Sequence, residues 1–295
     1  MDWLNFHQLL YFREVARAGT ISAAARALHV SQPAVTAQLR QLERRLAGPL
    51  YRRKGNGLEL TELGRTTLAY AEDIHALGRE LAARAREAGE RAPRLRVGIP
   101  DTISKWVVNR LLSPVFSRAD GTWLSVHEGT LDRLVDELLD RRTDLVVSDR
   151  PNFAYEAKRL RQTLLRTSEV SLFGSGRLIE PLRERFPQSL DGAPFLLPGE
   201  DLPMRRRLDE WFTEIGVAPK VVAEVDDSAL LKVFGSEGRG IFPAPAMVAE
   251  EVVARYDVVE LGAAKGVSEQ YYALTAAQPT RITALDDLLR TFAQS

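Results

Sequence analysis

The sequence predicts an N-terminal winged helix-turn-helix of mainly helical character, a long linker helix, and an α/β body of two lobes. Three observations carry this. Two short amphipathic helices flank a tight turn and precede a Gly-rich hairpin. A helical pattern then runs from Thr61 to about Ala88. From residue 95 onward, short apolar strands alternate with amphipathic helices. The segments are 1–60, 61–90 and 91–295, the last divided into lobes of about 94–163 with 268–295, and about 164–267.

In the head, residues 4–18 place Phe6, Leu9, Phe12, Val15 and Ala16 on one helical side, and "AG" at 18–19 ends that helix. Ile21 to Leu28 forms a short second helix with Ser22 as its N-cap. Ser31 caps the third, where Pro33 is tolerated because a first turn needs no amide donors. In "SQPAVTAQLRQLERRL" (31–46), Val35, Leu39, Leu42 and Leu46 share one face. Thr36, Ala37, Arg40 and Arg44 share the opposite one, and Gln32 and Pro33 open the helix. "GPLYRRKGNGLELTELG" then reads as two short strands around a "GNG" turn, a wing carrying Arg52, Arg53 and Lys54. On the linker helix Thr67, Tyr70, Ile74, Leu77 and Leu81 recur at three–four spacing, continued by Arg84 and Ala88. Tyr70, Ile74, Leu77 and Leu81 are the candidate dimerisation seam.

Charge divides along the same boundary. Residues 1–60 hold nine Arg and Lys against four Asp and Glu, a net +5 that the rest of the chain balances to zero. A basic head on an acidic body points to a polyanionic partner. A DNA major groove admits one helix, and short polar side chains near its start read base edges. Gln32 suits adenine, Thr36 can donate, accept or present a methyl to thymine, and Pro33 and Ala37 offer apolar contact. Arg40 reaches a phosphate or a guanine, and Arg44 and Arg45 a phosphate or solvent. Arg52, Arg53 and Lys54 track phosphates or a narrow minor groove. Ser22 and Ser31, at the helix starts, complete the candidate set. The alternative is a merely solvated helix face.

Other classes find less support. There is no cysteine, hence no disulfide, thiolate site or cysteine nucleophile. His7, His29, His75 and His127 are scattered without metal-ligand spacing. "GSG" at 174–176 is no nucleophile elbow, and "GSEGRG" at 235–240 follows a helix rather than opening one. An enzyme would need a reactive cluster, and a solute-binding protein would need a signal peptide. No signal pattern or membrane-length apolar run is found, so a soluble cytoplasmic protein without membrane partners is expected.

The body alternates "LRVGI", "WLSVH", "DLVVS", "VSLFG", "PFLLP", "KVVAEV", "GIFPA" and "YYALTA" with helices, which predicts parallel sheets covered by helices. The chain is expected to cross between lobes near Leu160–Ser168 and return near Gly266–Tyr272. Open α/β sheets bind ligands beyond the carboxyl ends of their strands. Those ends carry Asp101, Glu128, Asp149, Asp226 and Asp227, with Thr102, Ser104 and Thr130 beside them. Together they form a candidate effector site able to surround a hard cation with oxygen. Structural roles compete. Asp101 and Asp227 suit N-caps, Asp101 could pair with Lys105, and Asp149 with Arg150 could clamp the lobes. His127 beside Glu128 is a candidate pH sensor. No resident cofactor and no certain metal ligand set follow.

"SAAARALHVSQPAVTAQLRQLERRL" followed by "LYRR" resembles the N-terminal domain of LysR-type transcriptional regulators, over about residues 5–65. Thr36 stands where serine is usual, Ala37 where arginine is frequent, Tyr51 where phenylalanine is usual, and Gly48 one place late. "AGPLYRRKGNGLE", "DTISKWVV", "VSDRP", "LLPG", "EVDDSALLKVFG" and "EQYYAL" are similar to the branch that activates sodium–proton antiporter genes. The resemblance implies an effector domain like periplasmic solute-binding proteins, with its ligand in the interlobe cleft. It also implies a homodimer or homotetramer on an interrupted palindrome in promoter DNA, and RNA polymerase as a further partner of an activator. The branch suggests Na+ or Li+ as effector, with pH as a co-signal. A small anionic metabolite is the alternative.

Overall fold

The computed structural model describes residues 4–54, 57–87, 93–119, 121–150, 159–277 and 282–293. The chain divides into two compact units near residue 89.

The first unit comprises α1 (Phe6–Ala18), α2 (Ile21–Ala27), α3 (Gln32–Arg45), β1 (Tyr51–Lys54), β2 (Gly57–Leu60) and α4 (Glu62–Glu87). Gly19 ends α1 at φ +71°, a left-handed conformation that glycine adopts without strain. Thr20, rather than Ser22, caps α2. Its backbone is extended and its Oγ1 accepts from the Ala23 N–H at 3.2 Å, because the helix already begins at Ile21. Ser31 caps α3 and accepts from the Ala34 N–H. Phe12, Val15, Val35, Leu39, Leu42 and Leu50 are buried together, each stabilising by about 1.5–3 kcal/mol. The wing is an antiparallel hairpin registered from Tyr51↔Leu60 to Lys54↔Gly57. Tyr51 packs its ring on Phe12, and its hydroxyl donates to the Phe12 carbonyl at 2.9 Å. Burial pushes its phenol pKa up, so the donor stays protonated.

Helix α4 faces this core with Thr67 and Ala71 buried and Ile74 packed against it. Glu72 pairs with Arg13 at 2.7 Å and Arg17 at 2.9 Å, which ties α4 to α1. Ile74 therefore belongs to the domain's own core and not to an open seam. Tyr70, Leu77 and Leu81 are left 66%, 40% and 72% exposed.

The second unit runs β3 (Arg94–Pro100), α5 (Lys105–Phe116), β4 (Trp123–Gly129), α6 (Leu131–Leu139), β5 (Leu145–Ser148), β6 (Leu160–Gly174), α7 (Gly176–Ile179), β7 (Pro194–Leu197), α8 (Pro203–Glu214), β8 (Lys220–Glu224), α9 (Ser228–Ser236), β9 (Phe242–Pro245), α10 (Ala249–Tyr256), β10 (Val259–Ala276) and α11 (Thr283–Ala293). Six strands form one sheet in the order β4-β3-β5-β10-β6-β9, and β7 pairs with β8. β3 is parallel to β4 and β5, as expected. The lobes are not all-parallel, however. The two crossing segments are strands of 15 and 18 residues, paired antiparallel along their length. A connector that pairs satisfies its own backbone groups inside the molecule. Register irregularities at Ala263/Ser268 and Tyr271/Tyr272 allow this ribbon to bend. "LIEPLRERF" keeps only one α-helical turn and continues as a 3-10 helix, Glu180–Arg185, with Pro181 at its start. Gly235 lets α9 lie against Phe242, because a Cβ there would sit 2.0 Å from the ring.

Candidate functional site

The outer face of α3 presents Gln32, Pro33, Ala37, Arg40 and Arg44 to solvent, with Thr36 half-buried. Val35, Leu39 and Leu42 anchor the opposite face, so the helix cannot turn its polar side inward. Gln32 Nε2 donates to Ser22 Oγ at 3.2 Å, and Thr36 Oγ1 donates to the Gln32 carbonyl at 3.0 Å. Ser22 thus fixes the Gln32 carboxamide while leaving its oxygen and second amide proton for an adenine edge. Ser31 serves as the cap of the same helix. Arg52 is exposed on β1. The side chains of Arg53 and Lys54 lie outside the described residues.

A cavity of about 50 Å³ opens in the second unit, lined from the ends of β3, β5, β7 and β8, from β9 and β10, and from the starts of α8 and α9. Of the sequence-selected residues, Thr102, Ser104, Asp149 and Asp226 line it. A shallower depression beside it gathers Asp101, Thr102, Thr130 and Asp149. Two carboxylates expected in the site have other engagements. Glu128 pairs with Lys105 at 3.0 Å, so Lys105 serves Glu128 rather than Asp101. Asp227 caps α9, accepting from the Ala229 and Leu230 N–H groups at 2.7 and 3.1 Å. Those two bonds hold its carboxyl below the ordinary range. Asp226 sits at the mouth and accepts from the Gly199 N–H at 3.2 Å. Among the described residues no three His, Asp or Glu side chains converge as a metal set.

The cavity also holds residues that the strand-end argument missed: Lys232 from α9, and Glu269 and Tyr271 from β10. Lys232 is 3% exposed and Glu269 7%. Lys232 Nζ donates to the Ser228 carbonyl at 2.7 Å, and the Tyr271 hydroxyl donates to Glu269 Oε2. Burial pulls the Lys232 ammonium down to about 8, against the opposing pull of Glu269 and Asp227. Burial pushes the Glu269 carboxyl up to about 7, with the Asp149 charge adding to the rise. Burial also raises Asp149. Ser104 Oγ is buried with no hydrogen-bond partner among the described residues, although Ser104 precedes α5. A signal for Lys232 and Glu269 existed: each is a lone charge inside an apolar run, "SALLKVFG" and "SEQYYAL". His127, the candidate pH sensor, instead bonds Glu137 Oε2 at 2.8 Å. Burial favours a protonated Glu137, but bonds from His127 and Arg133 bring its pKa below the ordinary value.

Comparison with known proteins places both units. Residues 6–65 match the model of bacterial regulatory helix-turn-helix proteins of the lysR family, and residues 88–295 match the LysR substrate binding domain. The chain is 31% identical over 291 residues to "Transcriptional activator protein NhaR" of Escherichia coli (strain K12), covering 99% of this chain and 96% of that one. Its fold is similar to that of ArgP from Mycobacterium tuberculosis, with a TM-score of 0.63 at 19% identity, covering 99% of this chain and 98% of the other. It is likewise similar to full-length CbnR complexed with its target DNA, with a TM-score of 0.54 at 22% identity and 99% of each chain covered. No described helix is long and apolar enough to cross a membrane. The chain belongs to the LysR family of transcription regulators, DNA-binding proteins rather than enzymes.

Proposed function

We propose that this regulator activates transcription in the bacterial cytoplasm in response to a monovalent cation, sodium or lithium, held in the cleft of its second unit. The observation that carries the reading is the cavity lining, where Asp149, Asp226 and Glu269 outnumber the single Lys232 and Ser104 Oγ has no partner. An alkali cation takes oxygen ligands and needs fewer carboxylates than a divalent ion. Activation draws support from the likeness to a relative described as a transcriptional activator. Two copies joined through Tyr70, Leu77 and Leu81 would present two α3 helices to an interrupted palindrome, and a tetramer would pair such dimers. An activator would then recruit RNA polymerase beside the promoter. A site with Kd near 1 mM, about 4 kcal/mol, suffices for an ion present at millimolar levels.

One feature favours a second reading. The Lys232 ammonium, Ser104 and the start of α5 could together hold a small carboxylate. The experiment is a thermal-shift panel on the full chain with sodium, lithium, potassium and small organic acids at constant ionic strength and pH 8.5. The cation reading predicts a rise in Tm with sodium or lithium beyond that with potassium. Equal shifts in all three salts, with a rise only for an acid, would replace it by the metabolite reading.

A further inference from the structure

We propose that Thr36 is a specificity-determining residue that reads an exocyclic amino group. Its hydroxyl oxygen accepts from adenine N6 or cytosine N4 and rejects the keto oxygen of guanine or thymine at the same place. This rests on α3 being the helix that meets the base edges, and adds the class of base selected one turn in from Gln32.

The direction of one hydrogen bond carries the inference. Thr36 Oγ1 lies 3.0 Å from the Gln32 carbonyl. A backbone carbonyl only accepts, so the proton between the two oxygens belongs to Thr36. A hydroxyl has one proton and two lone pairs. With its proton spent inside the helix, Thr36 meets an outside partner as an acceptor alone. Residue type by itself leaves donation, acceptance and methyl contact open to a threonine, and the fold of α3 removes the first.

Three features hold this bond. Gln32 opens α3 and Thr36 stands four residues on, the separation at which a helical side chain reaches back to a carbonyl of the preceding turn. Val35 and Leu39, buried on the other side, fix the rotation of the helix about its axis. A β-branched side chain has few χ1 choices in a helix, and Thr36 is already half-buried. Gln32 in turn is tethered through Nε2 to Ser22 Oγ at 3.2 Å, so both residues reach a duplex with donors already committed.

In the major groove the amines of adenine and cytosine donate, while the keto oxygens of guanine and thymine accept. An amine opposite Thr36 Oγ1 adds a bond without disturbing the helix. A keto oxygen there sets two acceptors against each other. Turning the hydroxyl outward to meet it gives up the bond to Gln32, so nothing is gained. The amino base is therefore favoured by about one hydrogen bond, about three- to tenfold in affinity. Residues four apart on a helix are separated by about 6 Å along its axis, close to two base-pair steps.

The test uses anisotropy titrations of the full chain, at one salt concentration, on a duplex that it selects from a randomised pool. All four base pairs are placed in turn at each position within two of the one where Gln32→Ala loses discrimination. At one of these, wild type should prefer adenine or cytosine over guanine and thymine by about three- to tenfold. Comparing adenine with cytosine there names the amine. An analogue of the preferred base that lacks only the exocyclic amine should bind as weakly as the keto bases. Thr36→Val keeps the shape, removes the hydroxyl and should lose the preference, whereas Thr36→Ser keeps the hydroxyl and should retain it. A keto preference, no preference, or wild-type discrimination by Thr36→Val would overturn the assignment and leave the docking of α3 standing. Full discrimination by Gln32→Ala would overturn both. Should Thr36→Val fail to fold, the amine-less duplex still decides with the wild type.

Discussion

Gln32 commits one amide proton to Ser22 Oγ at 3.2 Å, and this preorientation has a measurable consequence. Gln32→Ala should cost about 1–3 kcal/mol at one base pair and relax preference there. Arg52→Ala should weaken all sequences alike and lower the salt slope by about 1. Selection on randomised duplexes, followed by titrations at two salt concentrations, separates the two effects. Full discrimination by Gln32→Ala would show that α3 docks otherwise. Glu269 makes a stability prediction. Its folded pKa, about 7, lies above its ordinary value of 4.5, so the folded chain binds its proton more tightly. That stabilisation is complete below about 4.5 and is lost as pH rises through about 7. Wild-type stability relative to Glu269→Gln should therefore fall between pH 5 and 7.5 in urea denaturation, and a constant difference would contradict the assignment. Lys232 has the opposite sign: its folded pKa is depressed, so stability returns as pH climbs from about 8 towards 10.5.

At the scale of elements, α4 divides its apolar residues between two tasks. Thr67, Ala71 and Ile74 close the first unit's core, while Tyr70, Leu77 and Leu81 stay exposed. Leu77→Lys with Leu81→Lys should dissociate an oligomer and leave the fold intact, whereas Ile74→Lys should destabilise the first unit itself. Sedimentation velocity with circular dichroism distinguishes these outcomes, and a double variant that associates like wild type would remove the seam. Elements were legible in the sequence where one periodicity dominated. The apolar positions of α3 recur at four, three and four residues, and only one face can hold them. The cap of α2 was misplaced because Thr20 and Ser22 both suit the role, and the choice depends on which residue first adopts helical dihedrals. The crossing strands were partly hidden. "LRQTLLRTSEVSLFG" mixes charge with apolar residues, because its two faces meet different surroundings along its length. Lys232 and Glu269 escaped for a further reason: strand ends marked the ligand side of the sheet, whereas these residues enter the cavity from a helix and from the middle of a ribbon.

At the scale of the whole molecule, the basic head and the cavity with its carboxylates belong to separate units. A ligand shifts such a protein only through its differential affinity for two states. The mutual repulsion of Asp149 and Glu269 above neutral pH offers one source of that difference, since a bound cation would relieve it. The most direct test is DNA bending by the full chain on a selected duplex at pH 8.5, in sodium and in potassium at equal ionic strength, for wild type and Asp149→Asn. The account predicts a bend that changes with sodium, saturates at millimolar concentration and is lost in Asp149→Asn while DNA affinity is kept. Identical bends in both salts, or an unchanged sodium response in Asp149→Asn, would contradict it.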